Sequence, residues 1–440
     1  MGGYRFWSKW NVLTIAVGLA LRFAIGAALT YTYDVHSWAL TISNFEAGQG
    51  LYGVAGYNYT PPWGYFLGTF SHLAELVGIS DFGTRATEFL PVEDYPYFLS
   101  AFVPSLEFVL AFKAMLFAFD LAAGYVLFRL VGDRTDDGGK ASKAFALWFL
   151  FPSVIVVSAV GGMFDSISVI LTMLCIMFMF RGRYFLAGGL FALAVSTKLF
   201  PAILVFLLVA YVLRRETDVR DAAVNIGQAV VGAGIILIVV FLPSVIQGDL
   251  GSSLSFLTSR ASSSMGSGLG DIERYGTILA FVAIAVVAVI LARGFRKEVS
   301  GDVDGRLLSV AMATLAVLFL YPPTPQYTLL LLPFLIYAAV AVDRAYLFPL
   351  VLLAVGSTVF VCYLNVMDLM TLSYYAGIPV PSDLAELVSD IDPNGPGIHL
   401  YDILYYSGAL VQYAGIVSAL AVYLKRDGSV GRVFHVDKSV

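Results

Sequence analysis

Charge is what this chain has least of. Charged residues make up 13% of its 440 positions, about half the proportion of a soluble globular domain, while 59% are hydrophobic and the mean hydropathy is +0.82. That balance excludes a soluble enzyme and points to a chain embedded in lipid. Cysteine is almost missing too: Cys175 and Cys362 both lie in apolar runs, so neither a disulfide framework nor a thiolate zinc site is expected. No phosphate-binding Walker loop, no His-Glu-x-x-His helix and no dinucleotide fingerprint occurs. There is no sizeable soluble domain to hold a nucleotide sugar, and nothing in the sequence calls for a nucleic-acid partner. Internal repeats, which many transporters carry, are absent as well; Tyr59-Thr60-Pro61-Pro62 and Tyr321-Pro322-Pro323 echo each other only locally.

What the chain does have is a series of apolar runs of about 20 residues, the length that crosses a hydrocarbon core of roughly 30 Å. They fall near 11–31, 104–130, 144–161, 164–180, 184–198, 199–213, 222–243, 275–292, 307–322, 326–342, 346–366 and 401–423. The expected fold is therefore an all-α polytopic membrane protein of about twelve transmembrane helices. Its first run, Asn11 to about Thr30, reads as a retained anchor, because it is long enough to span and further spans follow. Lys198-Leu199-Phe200-Pro201 interrupts one long apolar stretch and predicts a turn between two short helices, since proline disfavours an unbroken one.

With both termini in the cytoplasm, 20 of the 26 basic residues fall on the cytoplasmic side, as the positive-inside rule requires. The long loops then lie outside, near 32–103, 244–274 and 367–400. Within the first, Ser37–Gly48 suits a helix lying on the interface, and Pro62–Gly78 an interfacial or re-entrant one. Ser- and Gly-rich 251–270 reads as mobile, and proline-bearing 377–400 as an ordered outer loop or lid. Residues 216–440 read as further transmembrane helices of the same unit as residues 1–215.

Candidate chemistry gathers at the outer face. Asp34, just after the first span, has two readings. It can cap the helix that follows, or it can take the proton of an acceptor hydroxyl as a general base. Asp34 and His36 also supply half of a metal site, but no spacing identifies further ligands. No metal ligand or cofactor is assigned, and a divalent cation stays an option.

Charges inside apolar spans usually face the bundle interior, with a partner or a function. Arg22 lies in the first span and Glu107 near the outer start of the second. Lys113 and Asp120, seven residues apart, share a helix face. Asp120 is expected to pair with Arg22 or another helix. Lys113 stands between such pairing and binding a lipid phosphate.

Asp165, in Gly161-Gly162-Met163-Phe164-Asp165-Ser166, is either a helix N-cap or a site residue. Lys198 either meets a lipid phosphate or reaches for the headgroups. Gln326 and Tyr327, in the turn Tyr321-Pro322-Pro323-Thr324-Pro325-Gln326-Tyr327, can hydrogen-bond a sugar or phosphate. His72 and His399 are isolated.

Five stretches taken in order resemble the GT-C superfamily of polytopic glycosyltransferases, and within it the glycosylphosphatidylinositol mannosyltransferase I family. They are Tyr33-Asp34-Val35-His36; Tyr57-Asn58-Tyr59-Thr60-Pro61; Lys113 through Asp120 to Arg129; Trp148 through Pro152 to Asp165-Ser166-Ile167; and Lys198-Leu199-Phe200-Pro201. The resemblance implies a GT-C-like bundle with residues 1–215 as its catalytic module, and a dolichyl- or polyprenyl-phosphate-linked sugar donor, usually of mannose. It implies inverting transfer to a lipid-linked glycan or similar acceptor at the outer membrane face. Asp34 would be the base, Lys198 or Lys113 would lie near the donor phosphate, and His36, Tyr59, Asp165, Gln326 and Tyr327 would contact substrate. The implied location is the plasma membrane or the endoplasmic reticulum.

Two departures stand out: the family's Asp-x-Asp is Asp34-Val35-His36 here, and about 25 residues from Ile79 to Val103 look inserted. A transporter or flippase of lipid-linked sugars is the alternative reading.

Overall fold

The computed structural model describes residues 5–52, 57, 59–86, 102–254, 270–297, 301–321, 325–361, 366–379, 381 and 400–427. Asn58, Cys362, His399, Pro322-Pro323-Thr324, residues 87–101 of the expected insertion, and most of 251–270 and 377–400 lie outside them.

The helices in chain order are α1 (Lys9–Ala28), α2 (Thr32–Glu46), α3 (Pro61–Leu76), α4 (Leu106–Thr135), α5 (Gly138–Phe149), α6 (Pro152–Ala159), α7 (Asp165–Phe180) and α8 (Tyr184–Thr197). They continue with α9 (Val205–Arg215), α10 (Val219–Gln247), α11 (Gly270–Lys297), α12 (Val303–Leu318), α13 (Leu332–Tyr337), α14 (Leu347–Val361), α15 (Val366–Ala376) and α16 (Leu400–Asp427). Two short antiparallel strands, β1 (Gly83–Arg85) and β2 (Phe102–Pro104), pair Thr84 with Val103. They are a local addition to the expected all-α fold and draw the two ends of the expected insertion together.

The helix starts follow from the sequence. Ser105 Oγ accepts the Phe108 N–H, Asp302 accepts that of Gly305, and Asp137 accepts those of Gly139 and Lys140. The last two bonds hold the Asp137 carboxyl below its usual range.

Among the described residues, five helices are long and apolar enough to cross a membrane: α1, α4, α10, α11 from Gly276, and α16 over Ile403–Arg426. α5 and α6, bent by 45° at Pro152, make a sixth if counted as one span. The bend has a plain cause, because proline at a helix start clashes with continuation of the preceding turn. α7 and α8 have 16 and 14 residues, which at about 1.5 Å each fall short of a roughly 30 Å core. Helix length therefore supports an integral membrane protein but not the full count of twelve.

The core centres on α4 and α12. α4 is the most buried of the five long helices, while α1, α10 and α11 are largely exposed and turn apolar residues outward. α8 and α10 meet backbone to backbone: a Cβ on Gly188 would collide with Ala229, and one on Gly232 with Phe185.

Two polar clusters fix the helices. At one end of the bundle, Arg134 of α4 pairs with Asp304 and Asp302 at the start of α12. There Tyr211 of α9 donates to Asp304 at 2.7 Å, and Arg215 donates to the Phe180 carbonyl at the end of α7. In the bundle interior, Arg22 Nε meets Asp120 Oδ2 at 2.9 Å with both side chains buried, the pairing expected from the sequence. Ser158 donates to the same oxygen at 2.7 Å, Ser166 donates to Oδ1, and the Arg22 guanidinium stacks on Phe149. Arg22 Nη1 also donates to the Phe149 and Gly18 carbonyls at 2.8 and 3.2 Å, the kind of added hydrogen bonding a buried ion pair needs to offset its desolvation.

Candidate active site

The end of the bundle opposite the Arg134 cluster holds the residues of interest. α8 stops because Lys198 is extended (φ −146°, ψ 132°) and Pro201 follows within a tight 3-10 turn, Phe200–Leu204. This is the break expected from Lys198-Leu199-Phe200-Pro201. The stop leaves the Lys198 side chain buried, 4% exposed, at the start of α7, with Nζ 3.4 Å from Asp165 Oδ2. Three rings box the ammonium: Phe164 at 4.4 Å, Tyr59 at 5.1 Å and Tyr327 at 5.3 Å to their centroids. Ring faces carry negative charge, so the box suits a cation. Nζ makes no hydrogen bond among the described residues.

Four sequence candidates, Tyr59, Asp165, Lys198 and Tyr327, thus converge from four separate stretches, one of them in the second half of the chain. Gln326 precedes Tyr327 in the same short turn, Pro325–Leu330, and is half-buried.

Aromatic packing and backbone bonds set this box in place. Trp63 stacks on Phe164 at 4.1 Å, and Tyr59 meets Phe164 edge-on at 5.4 Å. Tyr52 donates to the Tyr59 carbonyl at 2.9 Å, Tyr57 to that of Thr60 at 2.8 Å, and the Thr60 hydroxyl to that of Ser196 beside Lys198. Burial, reinforced by neighbouring Tyr52, pushes the Tyr57 phenol well above its usual pKa, so it stays a donor.

Asp165 is the first residue of α7, not its cap; Phe164 occupies the N-cap position without a side-chain bond. Ser166, next to it, is tied to Asp120. The Arg22–Asp120 cluster therefore fixes the start of α7 and with it Asp165.

α2 begins at Thr32, five residues before the helix expected from Ser37, and the Tyr31 N–H at its N-cap is held by the Val160 carbonyl at 2.8 Å. Asp34 consequently lies inside the first turn, half-buried, which corrects the reading of it as the residue capping a later helix. Trp38, one turn on and on the same face, donates to the Gly162 carbonyl at 3.2 Å and packs on Tyr59 and Phe164. Asp34 is thus held about 6 Å along the helix from a residue that touches two walls of the lysine box.

His36 goes elsewhere. Two residues apart on a helix, Asp34 and His36 face away from each other, and His36 stacks on Phe102 of β2 at 4.5 Å. The two do not form the half metal site suggested by their spacing.

Lys113 is also reassigned. Fully buried, its Nζ donates to the Gly26 and Leu29 carbonyls at 2.9 Å and to Thr30 Oγ1 at 2.6 Å. Those three bonds use its three N–H groups on the end of α1, leaving none for a phosphate.

Trp38, Trp63, Phe164 and Gly162 were given no role at the site from the sequence. Gly162 has φ +61°, and a Cβ there would lie 2.9 Å from Val35 Cγ2, next to Asp34. Gly162→Ala should cost about 1–3 kcal/mol from backbone strain and displaced Val35. A thermal melt in detergent unchanged from wild type would refute this.

The comparison with known families decides the class. Glycosyltransferase family 87 matches residues 95–323, just over half of the chain. The chain belongs to that family. The matched region contains Lys113, Asp120, Asp165 and Lys198, while Asp34, His36 and Tyr59 precede it. The catalytic subunit of GPI alpha-1,4-mannosyltransferase I from Danio rerio is 31% identical over 131 residues, which cover 27% of this chain and 33% of that protein. The chain spans about a third of the length of this curated relative. With its long apolar helices, the family 87 member is a membrane glycosyltransferase.

Proposed function

We propose that this glycosyltransferase transfers a hexose, by preference mannose, from a polyprenyl- or dolichyl-phosphate donor to a lipid-linked glycan acceptor. Asp34 takes the proton of the acceptor hydroxyl as its oxygen attacks the anomeric carbon from the side opposite the phosphate. The bond from that carbon to the phosphate oxygen breaks, the lipid phosphate leaves with the electron pair, and the anomeric configuration inverts. Lys198 stabilises the charge gained by the leaving phosphate, an electrostatic task suited to a positioned cation in a dry site.

The observation that carries this reading is the Lys198 ammonium, boxed by Tyr59, Phe164 and Tyr327 beside Asp165 without a hydrogen bond among the described residues. Of the two cations suggested for the donor phosphate, it is the one whose donors are not taken up by backbone. Tyr327 brings residues 216–440 onto a site otherwise supplied by residues 1–215.

In this reading the chain crosses the membrane twelve times, with both termini cytoplasmic and the site at the outer or lumenal face. Support comes from the alternation of basic segments and from the Arg134 cluster lying at the end opposite Lys198. The membrane is the plasma membrane or the endoplasmic reticulum.

The test is incubation of purified protein with radiolabelled polyprenyl-phosphate mannose and candidate glycolipid acceptors. A labelled, elongated acceptor is the expected result. Failure with every polyprenyl-phosphate sugar, together with movement of lipid-linked sugar across proteoliposomes, would replace the proposal with a transporter.

A further inference from the structure

A second feature lies at the other end of the bundle, away from the lysine box. A groove of about 990 Å³ runs between α5 and the segment from Ala339 to Ala354. Its origin is the 45° bend at Pro152: α6 stays packed on α14, while α5 leans away and opens a wedge. The facing wall is a π-helical turn of small residues, Ala338–Val342, an unusual element that recurs at functional sites.

The groove is apolar along its length, with Leu147, Leu150, Leu347 and Val351 among its walls. Its mouth is cationic on both sides, with Lys140 and Lys143 from the start of α5 and Arg344 from opposite. The carboxylate at the mouth, Asp343, is already engaged: it pairs with Arg426 at 3.0 Å and accepts the Ala345 N–H at 2.9 Å. From Lys140 to Leu150 the wall rises about 15 Å, which matches one leaflet of a roughly 30 Å hydrocarbon core.

We infer that this groove holds one anionic glycerophospholipid of the surrounding leaflet, its phosphate between Lys140, Lys143 and Arg344 and an acyl chain along the bent α5–α6 wall. Cations on two facing walls, over an apolar channel one leaflet deep, complement a phosphate carrying a hydrocarbon chain. A free phosphate would leave the channel unfilled, and a zwitterionic lipid would bring its own cation against three others.

The full-length protein, reconstituted in phosphatidylcholine nanodiscs, would receive a phosphatidylglycerol probe with a diazirine in its acyl chain. Cross-linked peptides are then mapped after illumination. Labels are expected within 140–152 and 347–354, displaced by unlabelled phosphatidylglycerol but not by phosphatidylcholine or inorganic phosphate.

Combined Lys140→Gln, Lys143→Gln and Arg344→Gln should raise the probe concentration for half-labelling on the order of a hundredfold, as loss of three membrane-surface cations implies. Val351→Trp, at an exposed position on the groove wall, should block labelling by filling the channel with all three cations kept; it decides the matter if the triple variant does not fold. Equal labelling by a phosphatidylcholine probe, displacement by inorganic phosphate, or wild-type labelling of Val351→Trp would each overturn the inference.

Discussion

Asp34→Asn is expected to slow sugar transfer by about 10²–10⁴-fold, the range associated with losing a general base, with kcat falling and KM little changed. Asparagine keeps the shape of the side chain and removes only its capacity to take a proton. The alternative, in which Asp34 merely favours the start of α2, makes a different demand. A carboxylate in the first turn of a helix contributes about 0.3–1 kcal/mol through the helix dipole, so that role would show as a small drop in melting temperature with transfer intact.

Initial rates and a thermal melt on the same preparation therefore separate the two roles. A variant that transfers sugar within threefold of wild type would end the base assignment, whatever its stability. Geometry supports the larger effect: Trp38, one turn on, is anchored to Gly162 and packed on Tyr59 and Phe164, so this face of α2 is fixed against the lysine box.

The parts of this arrangement legible in the sequence were those governed by local chemistry. The break at Lys198-Leu199-Phe200-Pro201 follows from proline's missing N–H, and a charge such as Arg22 in an apolar run demands a partner that Asp120 supplies. The parts not legible depend on contacts between distant segments. The start of α2 is seated by the Tyr31 N–H on the distant Val160 carbonyl, and His36 meets Phe102 from beyond the expected insertion, so neither placement had a local signal. Lys113 and Lys198 look alike in sequence, each a lysine among apolar residues. Only the packing of α1 on α4 directs one to the carbonyls of Gly26 and Leu29, while the end of α8 leaves the other among aromatic rings. The pairing of β1 with β2 joins residues on either side of the expected insertion, a closure that neither strand's three residues announce.

The box around Lys198 yields the second large effect, and here stability and function can be pulled apart. Lys198→Met leaves the Asp165 carboxylate, 5% exposed, against Phe164 without its cation. Breaking a buried pair from one side typically costs about 3–5 kcal/mol, so the single variant is expected to melt far below wild type. Adding Asp165→Asn removes the stranded charge, and the double variant should recover most of the lost stability, because a neutral pair needs no compensation. What remains missing is a cation for the donor phosphate. A hydrogen bond to a charged group contributes about 1.5–3 kcal/mol, so the stable double variant should still transfer sugar roughly 10–100-fold less efficiently, read as a lowered kcat/KM for the polyprenyl-phosphate sugar. A purely structural Lys198 predicts the opposite, with transfer returning alongside stability, and that outcome would remove Lys198 from the donor site while leaving Asp34 to be judged on its own variant.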